Sequence, residues 1–486
     1  MTEGALGSAP RTSTASYAAI GNRFRWSLVN SVSGLAASMI TLLAVSRVVE
    51  PGEYGRVAVI LAAWGLLFNS VDWCGGLLMR FGPVELRERG TLGVAIGTRL
   101  VFAAPVLLPL VTVGPLALFF GFGWSPALSS LTALWFLVAT AHNVLQWSAI
   151  AAQRFVPLAI AGVVVKITPL AAVGWAAFAG IPVRAELLVC ATVAGHGLGA
   201  LILAGALGRL VAIGRPDGKL LGAMWRYSLP GLLGLPAMAA INWLDPLLLD
   251  RWSTRADVGR YQLAYPIFTL FAMLGASLNS VLSPELVRRI AQRDFAAVER
   301  YRDRDQPLLA LLLGVAAFGG ACLAAPLARA VLPDRYAVTA ELIALLSVAG
   351  GFLLAFWTMH PLVTATDSVW SLQLAIGCQA IANVVGDVAL AHRYGSTGVA
   401  VANVFAWAAA FVTLTLQLGR RIEARPGALV PLLAAGVAVT LLLVENAPVA
   451  ARIAVGAALF GTSGALGFRE LQRRKQELQR QKKERQ

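Results

Sequence analysis

The stretch "LVFAAPVLLPLVTVGPLALFFGFGWSPALSSLTALWFLVATAHNVLQWSAIAAQ", residues 100–153, runs for 54 residues without one Asp, Glu, Lys or Arg. A hydrocarbon core about 30 Å thick takes roughly 20 apolar residues per helix. The stretch therefore holds two membrane spans, joined by the uncharged turn at 121–126. Runs of the same kind recur on both sides of it. Only 13% of the 486 residues are charged, against about a quarter in a soluble protein. The chain reads as an all-α polytopic membrane protein with no sizeable soluble domain.

Run length, turn residues and absence of charge predict fourteen helices, near 24–49, 57–82, 97–120, 127–150, 157–179, 186–209, 226–250, 260–283, 307–331, 338–364, 369–391, 396–418, 427–445 and 450–467. Positive residues collect in cytoplasmic loops. With the N-terminus inside, 29 of the 40 Lys and Arg fall in inner segments, ten in outer loops, and the last is Lys166. That bias fits an even number of spans with both termini cytoplasmic. Residues 1–22 are small and polar without a signal-peptide core, so a disordered cytoplasmic tail is expected. The net charge of +15 does not point to nucleic acid, because much of it sits in "RELQRRKQELQRQKKERQ" (469–486), a basic tail that the anionic inner leaflet would attract. The four cysteines form no CxxC pair and the four histidines share no metal-ligand spacing, so no metal or cofactor is expected.

At an offset of 204 residues "SRVVEPGEYGR" (46–56) lies on "DRWSTRADVGR" (250–260) without gaps. Arg47 matches Arg251, Gly55 matches Gly259, Arg56 matches Arg260 and Glu53 matches Asp257. Each copy follows the first helix of a set of six. A parallel repeat of this kind is a common way to build a transporter, with substrate held between the halves. The expected organisation is a tail (1–22), an N-terminal six-helix bundle (23–210), a pseudo-symmetric C-terminal six-helix bundle (211–420), two extra helices (421–468) and the basic tail (469–486).

Several motifs share an order and spacing: "VVEPGEYGRVAV" (48–59), "NSVDWCGGLLMR" (69–80), "WRYSLPGLL" (225–233), "NWLDPLLL" (242–249), "DVGRYQLA" (257–264), "SPEL" (283–286) and "NVVGDVALAHRYGSTGVAVANV" (383–404). Together they resemble the polysaccharide transporter family, the O-antigen and teichoic-acid flippases of the multidrug/oligosaccharidyl-lipid/polysaccharide (MOP) exporter superfamily. The resemblance implies a MATE-like fold of two six-helix bundles that moves an undecaprenyl-pyrophosphate oligosaccharide to the outer leaflet by alternating access. Partners would be that lipid-linked substrate, membrane lipid, and a polysaccharide polymerase or glycosyltransferases. The sequence departs from the pattern at Pro246, where relatives often carry a basic residue after the Asp.

Charges inside the spans are the candidate site residues. Lys166 stands roughly 13 Å into its helix, counting 1.5 Å per residue from Pro157, too deep for easy snorkelling. It meets the phosphate or an acidic sugar in a central cavity, forms a structural ion pair, or is neutral or snorkelled; intramembrane lysines usually face a cavity or a partner. Asp72 is a second substrate or coupling-ion candidate, with structural pairing as the other reading. Arg47, Asp245, Asp250 and Arg251 lie at helix ends, as interfacial charges or as an outer gate of ion pairs. Asp387 is read as interfacial. Three rivals remain. A glycosyltransferase has only "DRD" (303–305) to offer and no loop long enough for a catalytic domain. An ATP-driven exporter would need a P-loop, which "GRPDGKL" (214–220) is not. A multidrug or cation antiporter of the same superfamily is the closest, and would need acidic groups deep in the bundle.

Overall fold

The computed structural model describes residues 40, 43–72, 77–122, 125–366, 368–422, 428–445 and 447–484, some within helices by backbone alone. The expected N-terminal tail and most of the first expected helix fall outside the described residues. In chain order the helices are α1 (Pro51–Asp72), α2 (Leu77–Arg89), α3 (Gly93–Phe122), α4 (Pro126–Ala151), α5 (Phe155–Phe178), α6 (Ala185–Leu207), α7 (Gly218–Ala239), α8 (Asp245–Trp252), α9 (Arg255–Ala291), α10 (Phe295–Arg300), α11 (Gln306–Val331), α12 (Ala337–Ala365), α13 (Val369–Ile422), α14 (Leu429–Val444) and α15 (Val449–Glu484). No strand occurs among the described residues.

Nine helices among the described residues are long and apolar enough to cross a membrane, or ten if the bent pair Gly218–Leu229 and Gly234–Trp252 is one span. The shorter apolar helices Leu429–Val444 and Val449–Ala465 stand where the last two spans are expected. The run Trp370–Arg420 contains two expected crossings. Gly395 divides them, with φ +56° and ψ −137° inside α13, a conformation open to glycine because it has no Cβ. Every expected span but the first thus has a helix at its place. The second begins earlier than expected, since Pro51 opens α1; proline suits a first turn, where its missing N–H would have had no partner anyway. α15 carries the helix on through the basic tail as far as Glu484.

The chain divides into two compact units. The described part of one lies within 77–171 and 190–228; that of the other lies within 40–72, 172–189 and 229–484. In the first, the Glu85 carboxylate accepts from the amides of Val94 at 2.8 Å and Ala95 at 2.7 Å. It caps the positive end of α3, where an anion is stabilising. Ser125 caps α4, its hydroxyl accepting from Leu128 N. Ala149, Ala161, Leu203 and Leu207 pack as a core cluster joining α4, α5 and α6.

In the second unit α12 is buried along almost its whole length, packed by α9, α11 and α13. Arg335, in the turn before it, donates to Glu50 at 2.7 Å and to the Ser46 carbonyl, while Tyr336 donates to the Val49 carbonyl at 3.1 Å. The two repeat copies meet in this unit. A Cβ on Gly55 would lie 1.7 Å from the Arg255 carbonyl oxygen, and one on Gly259 would lie 2.0 Å from that of Pro51. Residues matched across the offset of 204 are thus each other's neighbours, the reciprocal contact that a two-fold relation between repeats produces. Their other matched positions have parted. Glu53 accepts from Ala185 N at 2.9 Å and Arg56 pairs with Glu186 at 3.1 Å, whereas Asp257 is held by Ser253, Thr254 and Arg260.

Candidate functional site

A π-helical turn, Ala240–Leu244, leads directly into α8. Such turns widen the backbone and recur at functional sites; this one delivers Asp245. The residue is 3% exposed and both of its carboxylate oxygens are held. Oδ2 accepts from the Tyr261 hydroxyl at 2.5 Å and from Asn403 Nδ2 at 2.7 Å, and Oδ1 accepts from Asn383 Nδ2 at 2.7 Å. The same Asn383 amide donates to Asp387 Oδ2 at 3.2 Å. Asn383 and Asp387 are one turn apart on α13, and both are fully buried.

Neither carboxylate receives a hydrogen bond or ion pair from a Lys or Arg among the described residues. Asp387 Oδ1 and Asn383 Oδ1 have no donor there either. An uncompensated buried charge costs several kcal/mol. Two carboxylates joined by one amide, with oxygens left over, therefore make a place for a proton or a hard monovalent cation. No group of three His, Cys, Asp or Glu suited to a metal occurs among the described residues.

Asp245 and Tyr261 also form part of the wall of a cavity of about 450 Å³ in the same unit, bounded by α1, the π-turn, α8 and α9. Tyr54 and Trp243 contribute rings to it, and Asn242 and Gln262 contribute amides.

The other sequence-predicted residues lie apart from this cluster. Asp250 is half-buried and pairs with Arg255 Nε at 3.5 Å. Arg47 and Arg251 are exposed, with no ion pair between either of them and Asp245 or Asp250 among the described residues. Asp72 is the half-buried last residue of α1, and residues 73–76 of its motif fall outside the described residues. Lys166, in the middle of α5, is exposed and forms no hydrogen bond or ion pair among the described residues. Asp387, read as interfacial, is fully buried within the fold, beside the amide and phenol network around Asp245. Sequence reasoning passed over Asn383, Asn403 and Tyr261, although all three stand in the quoted motifs and the four-residue spacing of Asn383 and Asp387 marks one helix face. In the first unit His142 and His196, 54 positions apart, come within 5.5 Å between ring centroids.

Residues 44–341 match the family described as "Polysaccharide biosynthesis protein". The chain belongs to this family. Among solved structures, "Lipid II flippase MurJ, inward closed conformation" is similar with a TM-score of 0.67 at 13% identity, over 92% of this chain and 99% of that one. An inward-facing multidrug resistance MATE family transporter of the MOP superfamily is similar with a TM-score of 0.60 at 15% identity, over 80% of this chain and 98% of that one. No curated protein matches the sequence. The fold is thus the one these two structures share, and the apolar helices make the protein a multi-pass membrane protein of the polysaccharide-biosynthesis family. Both of these structural neighbours are, by their descriptions, membrane transporters.

Proposed function

We propose that this protein moves a lipid-linked oligosaccharide or polysaccharide precursor, of the undecaprenyl-pyrophosphate type, from the inner to the outer leaflet of the bacterial cell membrane by alternating access. The observation that carries the reading is membership of a polysaccharide-biosynthesis family on a transporter fold. A pyrophosphate cannot cross hydrocarbon bare. Lys166, exposed and unpaired among the described residues, supplies a movable point charge for it; Asp72 binds a coupling cation or orients a basic neighbour. The Asp245–Asp387 pair takes up a proton or monovalent cation as the coupling ion. Arg47, Asp250 and Arg251 serve at the outer helix ends. Both termini are cytoplasmic, where glycosyltransferases load the lipid; a polymerase receives the product on the other side.

The test is a deletion strain complemented with wild type or Lys166→Ala. Sugar-bearing undecaprenyl pyrophosphate accumulates in the deletion and is cleared by wild type. If no intermediate accumulates, the function is not flipping. The second reading, a multidrug or cation antiporter, draws on the buried acid pair and on the likeness to a MATE transporter. It requires that the deletion leave the lipid pool unchanged and that expression lower cellular retention of an organic cation.

A further inference from the structure

The cavity beside Asp245 has a wall chemistry of its own. Its 450 Å³ falls in the range of small-ligand sites. The rings of Tyr54, Trp243 and Tyr265 and the amides of Asn69, Asn242 and Gln262 line it, and among the described lining residues there is no Lys, Arg or His. Its one carboxylate, Asp245, is already held on both oxygens by Tyr261, Asn383 and Asn403. A pyrophosphate placed here would find no cation. An organic cation would find no open carboxylate.

Rings and amides together suit a different guest. Aromatic faces bury C–H surface, and an amide offers a donor and an acceptor at once, which is what the two sides of a pyranose present. Asn242 and Asn69 each donate one N–H to a backbone carbonyl, of Met238 at 2.8 Å and Leu235 at 3.5 Å, which leaves a second N–H and the carbonyl oxygen of each. Gln262 makes no hydrogen bond within the protein among the described residues, so its amide is available to a ligand. Trp243 is set in place by its backing: a Cβ on Gly65 would stand 2.5 Å from three atoms of the indole, so the ring lies flat against the bare glycine backbone. The π-turn carries both Trp243 and Asn242 into the same wall.

We propose that this cavity receives an uncharged saccharide unit of the transported precursor. The proposal rests on the flippase reading above and adds to it that the sugar and the lipid phosphate are recognised by different residues.

Binding of two probes to the full-length protein in nanodiscs tests this by native mass spectrometry: undecaprenyl pyrophosphate carrying a neutral trisaccharide, and undecaprenyl pyrophosphate alone. Wild type is expected to bind the sugar-bearing lipid about tenfold more tightly, the worth of one or two hydrogen bonds. Asn242→Ala and Gln262→Ala each reduce that preference about three- to tenfold and leave affinity for the bare lipid unchanged. Lys166→Ala weakens both lipids alike and keeps the preference. Thermal melting of each variant checks that it is folded. Equal wild-type affinities for the two lipids, or a preference that survives both amide substitutions, overturn the proposal while the flippase reading stands. Binding of neither lipid removes both. Displacement of the sugar-bearing lipid by tetraphenylphosphonium in wild type but not in Asn242→Ala assigns the cavity to organic cations and also overturns it.

Discussion

Replacing Asp387 by asparagine removes one of two buried carboxylates with almost no change of shape. Asp245 Oδ1 and Asp387 Oδ2 bond the same Asn383 nitrogen, at 2.7 and 3.2 Å. Two unit charges roughly 6 Å apart repel by about 3 kcal/mol at an effective dielectric constant of about 20. The new amide also provides a donor beside Asn383 Oδ1, which has none among the described residues. With both carboxyls ionised and no ion bound, Asp387→Asn is therefore more stable than wild type by about 3 kcal/mol. Wild type recovers that difference when a small cation binds the pair. Thermal unfolding of the full-length protein in detergent at one pH, in choline chloride and then in sodium, potassium or lithium chloride, reads it directly. The variant's melting temperature is expected to exceed that of wild type most in choline, and the gap narrows when the ion that fits is added. Transport is lost in the variant under all of these conditions. A gap indifferent to every cation refutes the reasoning, since the pair would then carry no exchangeable compensation.

Lys166→Ala is expected to change stability by no more than about 0.5 kcal/mol while slowing clearance of the lipid-linked intermediate; a loss above about 2 kcal/mol in a melting or denaturation series would make Lys166 a structural ion-pair member instead. Arg452, 2% exposed, donates to both oxygens of Glu341 at 3.0 and 2.7 Å and so ties α15 to α12. Arg452→Ala breaks a buried pair, a change that costs about 3–5 kcal/mol, with the lower end expected because Arg329 still bonds Glu341. An unchanged melting temperature would show that α15 is held by its apolar face alone. Gly55→Ala places a methyl against the Arg255 carbonyl and is expected to cost 3 kcal/mol or more, beyond the roughly 1–3 kcal/mol of ordinary overpacking. The readout is the monodisperse fraction in size-exclusion chromatography, and full recovery of that peak would refute the close crossing of α1 and α9.

Much of the architecture was legible because the signals behind it are local. A span is recognised by a sum of side-chain transfer energies over about 20 consecutive residues, and the 54 uncharged residues at 100–153 contain that sum whatever lies around them. The break at Gly395 was legible for a similar reason, since "HRYGSTG" (392–398) interrupts two apolar runs. The offset of 204 residues was enough to pair Gly55 with Gly259, and the contact between them gives the pairing its physical cause. Where local rules meet competing context they failed on detail: the second span starts at Pro51 rather than 57 because a proline opens a helix more readily than an apolar run marks its edge.

The candidate site was legible only as separate residues. Asp245 and Asp387 both attracted notice, but hydropathy assigned them to helix ends, where charge is cheap. What decides their state is which side chains surround them, and those come from α8, α9 and α13, up to 158 positions apart in the chain. Composition and charge bias by themselves determined a helical multi-pass membrane protein, and motif order pointed to its family, because each is a property of the chain read in one dimension. The burial of two carboxylates among neutral donors, and the cavity beside them with aromatic and amide walls, were decided by tertiary structure alone. The free energy of a buried charge depends on its neighbours in space, and those neighbours do not exist until the helices have packed.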